Sequence, residues 1–211
     1  MNHYLAATDF IDSDHPDVRG KAFDVTGGSP GDIEKAKKLF YFVRDSIRYT
    51  PYTLRTHPEH FRASFTLSTG EGFCVQKAIL LAALGRAVGI QARLGFAVLK
   101  NHLLPDNLAS LLVGNEIPDH GFTELFLRGK WVKATPSFDK EMCEQNRFIP
   151  VEFNGKADAL LHSHTRDGLP HIEYVSYRGS YQDFPFEEML LWLVPVLTAE
   201  GFNRLVKFDS A

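Results

Sequence analysis

The run CVQKAILLAALGRAV, residues 74–88, constrains the fold most. It is long enough for about four helical turns. Alanine and leucine, two strong helix formers, dominate it, and it contains no proline. Its apolar residues lie almost all round the predicted helix, so that helix must be buried, with other elements packed about it. Gly70 and Gly72 let the chain turn sharply before it, and Gly89 suits the position just past its end. Cys74 stands in the predicted first turn. There the positive end of the helix dipole and the unpaired N–H groups favour a thiolate, and the same groups can hold the oxygen of a tetrahedral intermediate. A packed, inert cysteine fits the position as well, because free cysteine is among the most buried residue types.

The rest of the chain supplies elements to surround this helix. SPGDIEKAKKLFYFVRDSIRYT is predicted to be the first helix, capped by Ser29, with Pro30 at the first position and Asp32 completing a capping-box spacing. Ile33, Ala36, Phe40, Val43 and Ile47 form its apolar face. IQARLGFAV alternates as a strand, with Ile90, Ala92, Leu94, Phe96 and Val98 on one side. Residues 99–119 read as a long loop with at most one short helix, and long loops often form a wall of a site. HGFTELFLRGKWVKATPSFD is predicted to be a hairpin turning at Arg128-Gly129. Residues 143–182 read as short extended pieces, and DFPFEEMLLWLVPVL as a last helix capped by Asp183 and ended or kinked at Pro195. Helices first, then a mostly antiparallel sheet, then a C-terminal helix define an α+β fold. The expectation is one domain over residues 1–211, with the motifs in 70–139 and an extension over 140–211.

Charge and composition narrow the function. A net charge of -3 argues against non-specific nucleic-acid binding, which wants a basic stripe. Two cysteines, Cys74 and Cys143, are too few for a disulfide framework, and Cys143 reads as structural. No signal-peptide pattern is visible at the N-terminus, so a cytoplasmic location is the expectation. The run MLLWLVPVL is about half the length of a membrane span, so no membrane association is expected. His162, His164 and His171 lie near one another in sequence, but the chain has no helical H-x-x-x-H pair, and neither a metal nor any other cofactor is expected. Nothing in the sequence sets the oligomeric state.

A nucleophilic cysteine needs a base, and the base needs an orienting group. His120 opens the predicted hairpin. A two-residue turn sets Phe126 opposite Trp131 and Glu124 opposite Lys133, an aromatic pair and a charge pair that support this register. Extended, the register sets Phe122 opposite Thr135 and His120 opposite Ser137, with Asp139 on the His120 face if the strand continues. A histidine bonded only to backbone or water fits the same position.

Gly72-Phe73-Cys74, the apolar helix, GRAVGIQARLGF and HGFTELFLRGKWVKATP together resemble the transglutaminase-like superfamily. Its blocks are G-x-C at a helix start, R-A-x-G-I-x-A-R leading into a strand, and H-x-[WF]-x-E-[VL] followed by a glycine turn and G-x-W. All three occur here in order, over about a third of the chain, residues 70–139. HIEYVSYRGSYQDFPFEE also looks like the tail of bacterial members. The resemblance implies a papain-like α+β core, Cys74 as nucleophile and His120 as general base. Family members place an aspartate four residues after the hairpin tryptophan; Thr135 stands there in this chain. Either Thr135 or Asp139, the nearest carboxylate, is then the candidate orienting residue, with Asp158 as a further alternative. A threonine hydroxyl can hydrogen-bond an imidazole but cannot stabilise imidazolium as a carboxylate does.

The expected activity is hydrolysis or acyl transfer on a peptide or protein amide through a Cys74 thioester. The N–H of Cys74 would hold the oxyanion, with Tyr49, Tyr52 or the 68–73 backbone as the second donor. The alternative is a member of the same fold with weakened chemistry, acting as a peptide- or protein-binding module.

Overall fold

The computed structural model describes residues 3–51 and 57–207, and no side chain beyond residue 203. The predicted central helix is α4, Cys74–Ala87, and every residue from Cys74 to Arg86 is buried. Four helices or turns precede it: α1 (Pro16–Thr26), α2 (Asp32–Ser46), a 3-10 turn (Pro58–Phe61) and α3 (Ala63–Thr69). Two short strands, β1 (Arg48–Tyr49) and β2 (Glu71–Gly72), pair in parallel. After α4 come β3 (Ala92–Asn101), the single turn α5 (Asp106–Ala109), β4 (Glu116–Leu127), β5 (Lys130–Ala134), α6 (Lys140–Gln145) and β6 (Ile172–Tyr181). Then follow α7 (Phe186–Leu193), a 3-10 turn (Val194–Val196) and α8 (Ala199–Lys207). The four long strands form an antiparallel sheet in the order β5-β4-β3-β6. Helices α1, α2 and α3 pack on α4, and so do β3 and β4. This is the expected α+β architecture of helices on a mostly antiparallel sheet.

Burying α4 on all sides also buries its polar residues, and each finds a partner, as buried polar groups must. Lys77 is 0% exposed. Its ammonium donates to the carbonyls of Arg44 at 3.0 Å and Ile47 at 2.6 Å, closing the end of α2. Burial pushes its pKa down to about 7. Arg86 donates to the carbonyls of Ala92, Ala6 and Gln182, fastening the chain's N-terminal segment and the end of β6 to the helix.

The β4–β5 hairpin has the expected register, with Phe126 opposite Trp131 and Glu124 opposite Lys133. Arg128 (φ 51°) and Gly129 (φ 81°) are both left-handed, the turn that matches strand twist. Glu124, however, pairs with Arg93 at 2.5 Å, while Lys133 lies 3.7 Å from the Tyr177 ring centroid.

β4 begins at Glu116 rather than at His120. Ile117 pairs with Leu99 and His120 with Ala97, so Pro118 and Asp119 together oppose Val98. This is a β-bulge, where a proline's missing N–H costs no ladder bond. On β3 opposite the bulge, Leu99 is buried and Val98 only half-buried, against the expected alternation. A regular strand turns successive side chains to opposite faces; here both Asp119 and His120 are buried and line one cavity.

Several local expectations are corrected. An additional helix, α1, precedes the predicted first one, its first turn capped by His15 Nδ1 accepting from Asp17 N–H at 3.3 Å. α2 starts at Asp32 after Gly31, without a side-chain cap. Ser29 cannot cap it because residues 26–31 form a turn, with Ser29 N–H on the Thr26 carbonyl and Gly31 N–H on the Ser29 carbonyl. Asp183 accepts the N–H groups of Phe10 and Ile11 instead of capping α7, which follows Pro185. The 143–182 stretch includes a full ten-residue strand, β6, and α8 follows α7.

Gly121 sets how closely α4 meets the sheet. A Cβ there would lie 3.0 Å from Val75 Cα and 3.2 Å from its Cγ2. Gly121→Ala is therefore expected to lower stability by about 1–3 kcal/mol through overpacking, measured by urea unfolding. An unchanged midpoint would show that helix and strand are not held at this distance.

Candidate active site

Cys74 occupies the first position of α4 because the preceding loop is pinned from both sides. Gln76 accepts from the Phe73 N–H at 3.3 Å and donates to the His60 carbonyl at 2.8 Å. The β1–β2 pairing sets Arg48 and Tyr49 beside Glu71 and Gly72. On the sheet side, Thr123 Oγ1 donates to the Ala78 carbonyl at 2.7 Å, locking β4 to the helix. Cys74 and His120 thus line one cavity of about 510 Å³. Asp119, Asp139, Tyr49 and Ser137 line it too, and the 99–119 segment contributes a wall as expected.

Electrostatics at the cysteine run opposite to the helix-start expectation. Burial, and next the charge of Asp119, push the Cys74 thiol up to about 12. The N–H groups of Gly121, Val75 and Cys74 itself favour the thiolate but offset only part of this. Burial likewise pushes His120 down to about 3. At neutral pH Cys74 is therefore a thiol and His120 a neutral imidazole. Asp119 is held up at about 6, again chiefly by burial, with its own backbone N–H and Arg178 pulling the other way.

Neither candidate orienting residue is hydrogen-bonded to His120. β5 ends at Ala134, and Asp139 lies beyond it as the cap of α6. One of its carboxylate oxygens accepts from Met142 N–H and the other from Tyr49 N–H, both at 2.8 Å. Asp158 accepts from Lys133 N–H at the outer edge of β5. Three buried polar atoms have no hydrogen-bond partner among the described residues close to this point in the sheet: His120 Nε2, Thr135 Oγ1 and Ser137 Oγ.

Tyr174 on β6 is a site residue that the sequence reading missed. Its ring stands edge-on to His120, centroids 6.0 Å apart. Its hydroxyl accepts from Leu161 N–H at 3.2 Å. The Thr135 hydroxyl is near enough to favour its ionised form, though not in good hydrogen-bond geometry, and burial pushes its pKa up overall. No local motif marks Tyr174; only the pairing of β6 with β3, Tyr174 opposite Leu99, brings it here.

Of the other sequence candidates, Tyr49 stands edge-on to Phe138 at 4.9 Å, and Tyr52 lies outside the described residues. His171 is stacked on Phe148 at 4.0 Å, and His164 contacts Ser163. Among the described residues no group of His, Cys, Asp or Glu is arranged to hold a metal ion. No helix among them is long and apolar enough to cross a membrane.

The family model of the transglutaminase-like superfamily matches residues 19–136, more than half of the chain, and the protein belongs to that superfamily. Among solved structures, it is similar to the one named "Putative Cysteine Protease from Cytophaga hutchinsonii", with a TM-score of 0.50 and 16% identity. That match covers 84% of this chain and 53% of the other, so this chain spans about half the length of that relative. The periplasmic domain of TgpA from Pseudomonas aeruginosa matches over 63% of this chain and 45% of that one, at 20% identity and a TM-score of 0.45. No curated protein matches the chain.

Asp119 gives the site a pH signature in stability. Its folded pKa of about 6 lies above the ordinary 3.8, so the cost of burying the carboxylate grows as pH rises from about 3.8 and is complete above about 6. Asp119→Asn is expected to raise stability at pH 8 by on the order of 1–3 kcal/mol and to leave it unchanged near pH 3.5. Thermal melts at the two pH values check this; an equal gain at both would contradict it.

Proposed function

We propose that the protein is a thiol-dependent acyl-transfer enzyme that cleaves an amide or peptide bond through a thioester on Cys74, with His120 as general acid and base. The observation that carries this reading is the convergence of two elements on one cavity: the start of α4 brings the thiol and the bulged β4 brings the imidazole. These are the positions at which the superfamily's motifs carry nucleophile and base.

Because both groups rest neutral, the chemistry runs as general-base catalysis rather than from a preformed ion pair. His120 takes the Sγ proton as the sulfur attacks the carbonyl carbon. The oxyanion that forms is held by the N–H of Cys74 at the helix start. His120 then gives the proton to the leaving amine as the C–N bond breaks. Water, or an amine, attacks the thioester; His120 takes its proton, and collapse of the second intermediate returns the thiol. Imidazolium exists only transiently; Tyr174, edge-on to the ring, and the unpartnered Thr135 and Ser137 hydroxyls are polar groups that could support it. A second reading, a peptide-binding module without turnover, is favoured by one observation: the Asp139 carboxylate is engaged by two backbone amides rather than by His120.

Hydrolysis of a fluorogenic peptide library separates the two. Cys74→Ala is expected to lower turnover by at least about 1,000-fold. The kcat/KM profile is expected to lack the inflection of an ordinary histidine near 6.5, since His120 stays neutral down to about 3. Any inflection near 6 belongs to Asp119 and disappears in Asp119→Asn. Turnover that survives Cys74→Ala sinks the enzymatic reading. An inflection at 6.5 that survives Asp119→Asn would show that His120 titrates normally.

A further inference from the structure

The cavity is lined by many residues besides Cys74 and His120, and a large share of them are aliphatic. Leu104, Leu108 and Leu111 enter from the 102–112 segment, and Met189, Leu190 and Leu193 from α7. These two pieces form one wall. Val113 N–H donates to the Val196 carbonyl at 2.7 Å, Thr198 N–H donates to the Leu111 carbonyl at 3.0 Å, and Leu112 bridges to Leu197. α8 closes on the same segment so tightly that a Cβ at Gly201 would meet the Leu111 carbonyl oxygen at 2.2 Å.

Leu104, Leu108, Leu190 and Leu193 are only half-buried although they line a cavity. A folded chain gains about 25 cal/mol for each Å² of apolar surface it covers, so this uncovered leucine surface offers binding energy to an apolar ligand. A volume of about 510 Å³ lies in the range of ligand pockets rather than of packing defects. Charge points the same way. Among the described lining residues the acids are Asp119, Asp139 and Glu141, and the cation is Arg48, which is bonded to Glu71. An acyl group carrying a carboxylate would meet acids and leucines in this lining.

We infer that the Cys74–His120 site is selective for amides whose acyl half carries a large aliphatic or aromatic group, seated against the leucine wall formed by the 102–112 segment and α7. The inference rests on the thiol acyl-transfer reading for which end of the amide is held. The wall also gives residues after the superfamily's matched region a role, since α7 lines the pocket and α8 packs against the segment that carries Leu111.

Two arms test it. In the first, wild-type protein is assayed on p-nitroanilides of N-acetyl-leucine, -phenylalanine, -alanine, -glutamine and -glutamate, and on octanoyl p-nitroanilide. The leucyl, phenylalanyl or octanoyl compounds are expected to exceed the alanyl and glutamyl ones by at least about tenfold in kcat/KM. A preference among the amino acids identifies a side chain as the natural apolar group, and a preference for octanoyl identifies a lipid chain; either supports the inference. In the second arm, binding of the corresponding fluorescein-labelled N-acyl amides to Cys74→Ala is measured by anisotropy, which needs no turnover. Leu108→Asp and Leu190→Asp, each checked by thermal melt, are expected to weaken binding of the apolar compounds at least about tenfold while changing the alanyl compound little. Apolar preference in Cys74→Ala without turnover in wild type would retire the enzymatic reading and keep the pocket. Equal binding of leucyl, alanyl and glutamyl compounds, or a preference for glutamine, would overturn the inference.

Discussion

Everything at the site depends on how closely one buried helix meets one strand. Val75, the residue after Cys74, lies against Gly121, the residue after His120, so closely that a methyl group between them would crowd both. Thr123 fixes the same contact one turn on by bonding the Ala78 carbonyl. Cys74 and His120 therefore do not sit on independent loops. Each is one residue from a backbone contact that cannot be shifted without repacking the core. The remaining helices hold α4 in place from other directions, and the buried Lys77 ammonium ties it to the end of α2.

The depth of that contact sets the electrostatics. Two N–H groups of the helix start and a third from Gly121 on β4 should favour thiolate, yet the thiol stays up at about 12 because so little water reaches it. The imidazole is held neutral for the same reason. This bears on the absent aspartate at the position of Thr135. A neutral imidazole needs no counter-charge at rest, so hydroxyls can neighbour it without the cost of a second buried ion. Asp139 meanwhile has a structural task, joining β1 to the start of α6.

Much of this was legible in the sequence, and the gaps have physical causes. α4 was readable because its apolar run is long and unbroken, and the hairpin because a two-residue turn fixes every later pair. The belonging of the chain to the transglutaminase-like superfamily follows from motifs carried by these same elements. β6 was not readable because it is a largely exposed strand with no apolar alternation to betray it. α6 is short and polar, and its start turned Asp139 away from the face that a continued strand would have given it. The bulge at Pro118-Asp119 was hidden because a Pro-Asp pair looks like a loop end, whereas pairing with β3 continues on both sides of it. Tyr174 and the leucine wall come to the site only through tertiary pairing, which local pattern does not encode.

In the proposed chemistry Cys74 carries the acyl group and His120 moves its proton. This is tested most directly by acid-quenched incubation with p-nitrophenyl octanoate followed by peptide mass analysis. An octanoyl group is expected on the Cys74 peptide, released by neutral hydroxylamine, absent from Cys143, and formed far more slowly in His120→Ala. Acyl groups on neither cysteine, on both alike, or on Cys74 at a rate indifferent to His120→Ala would contradict it.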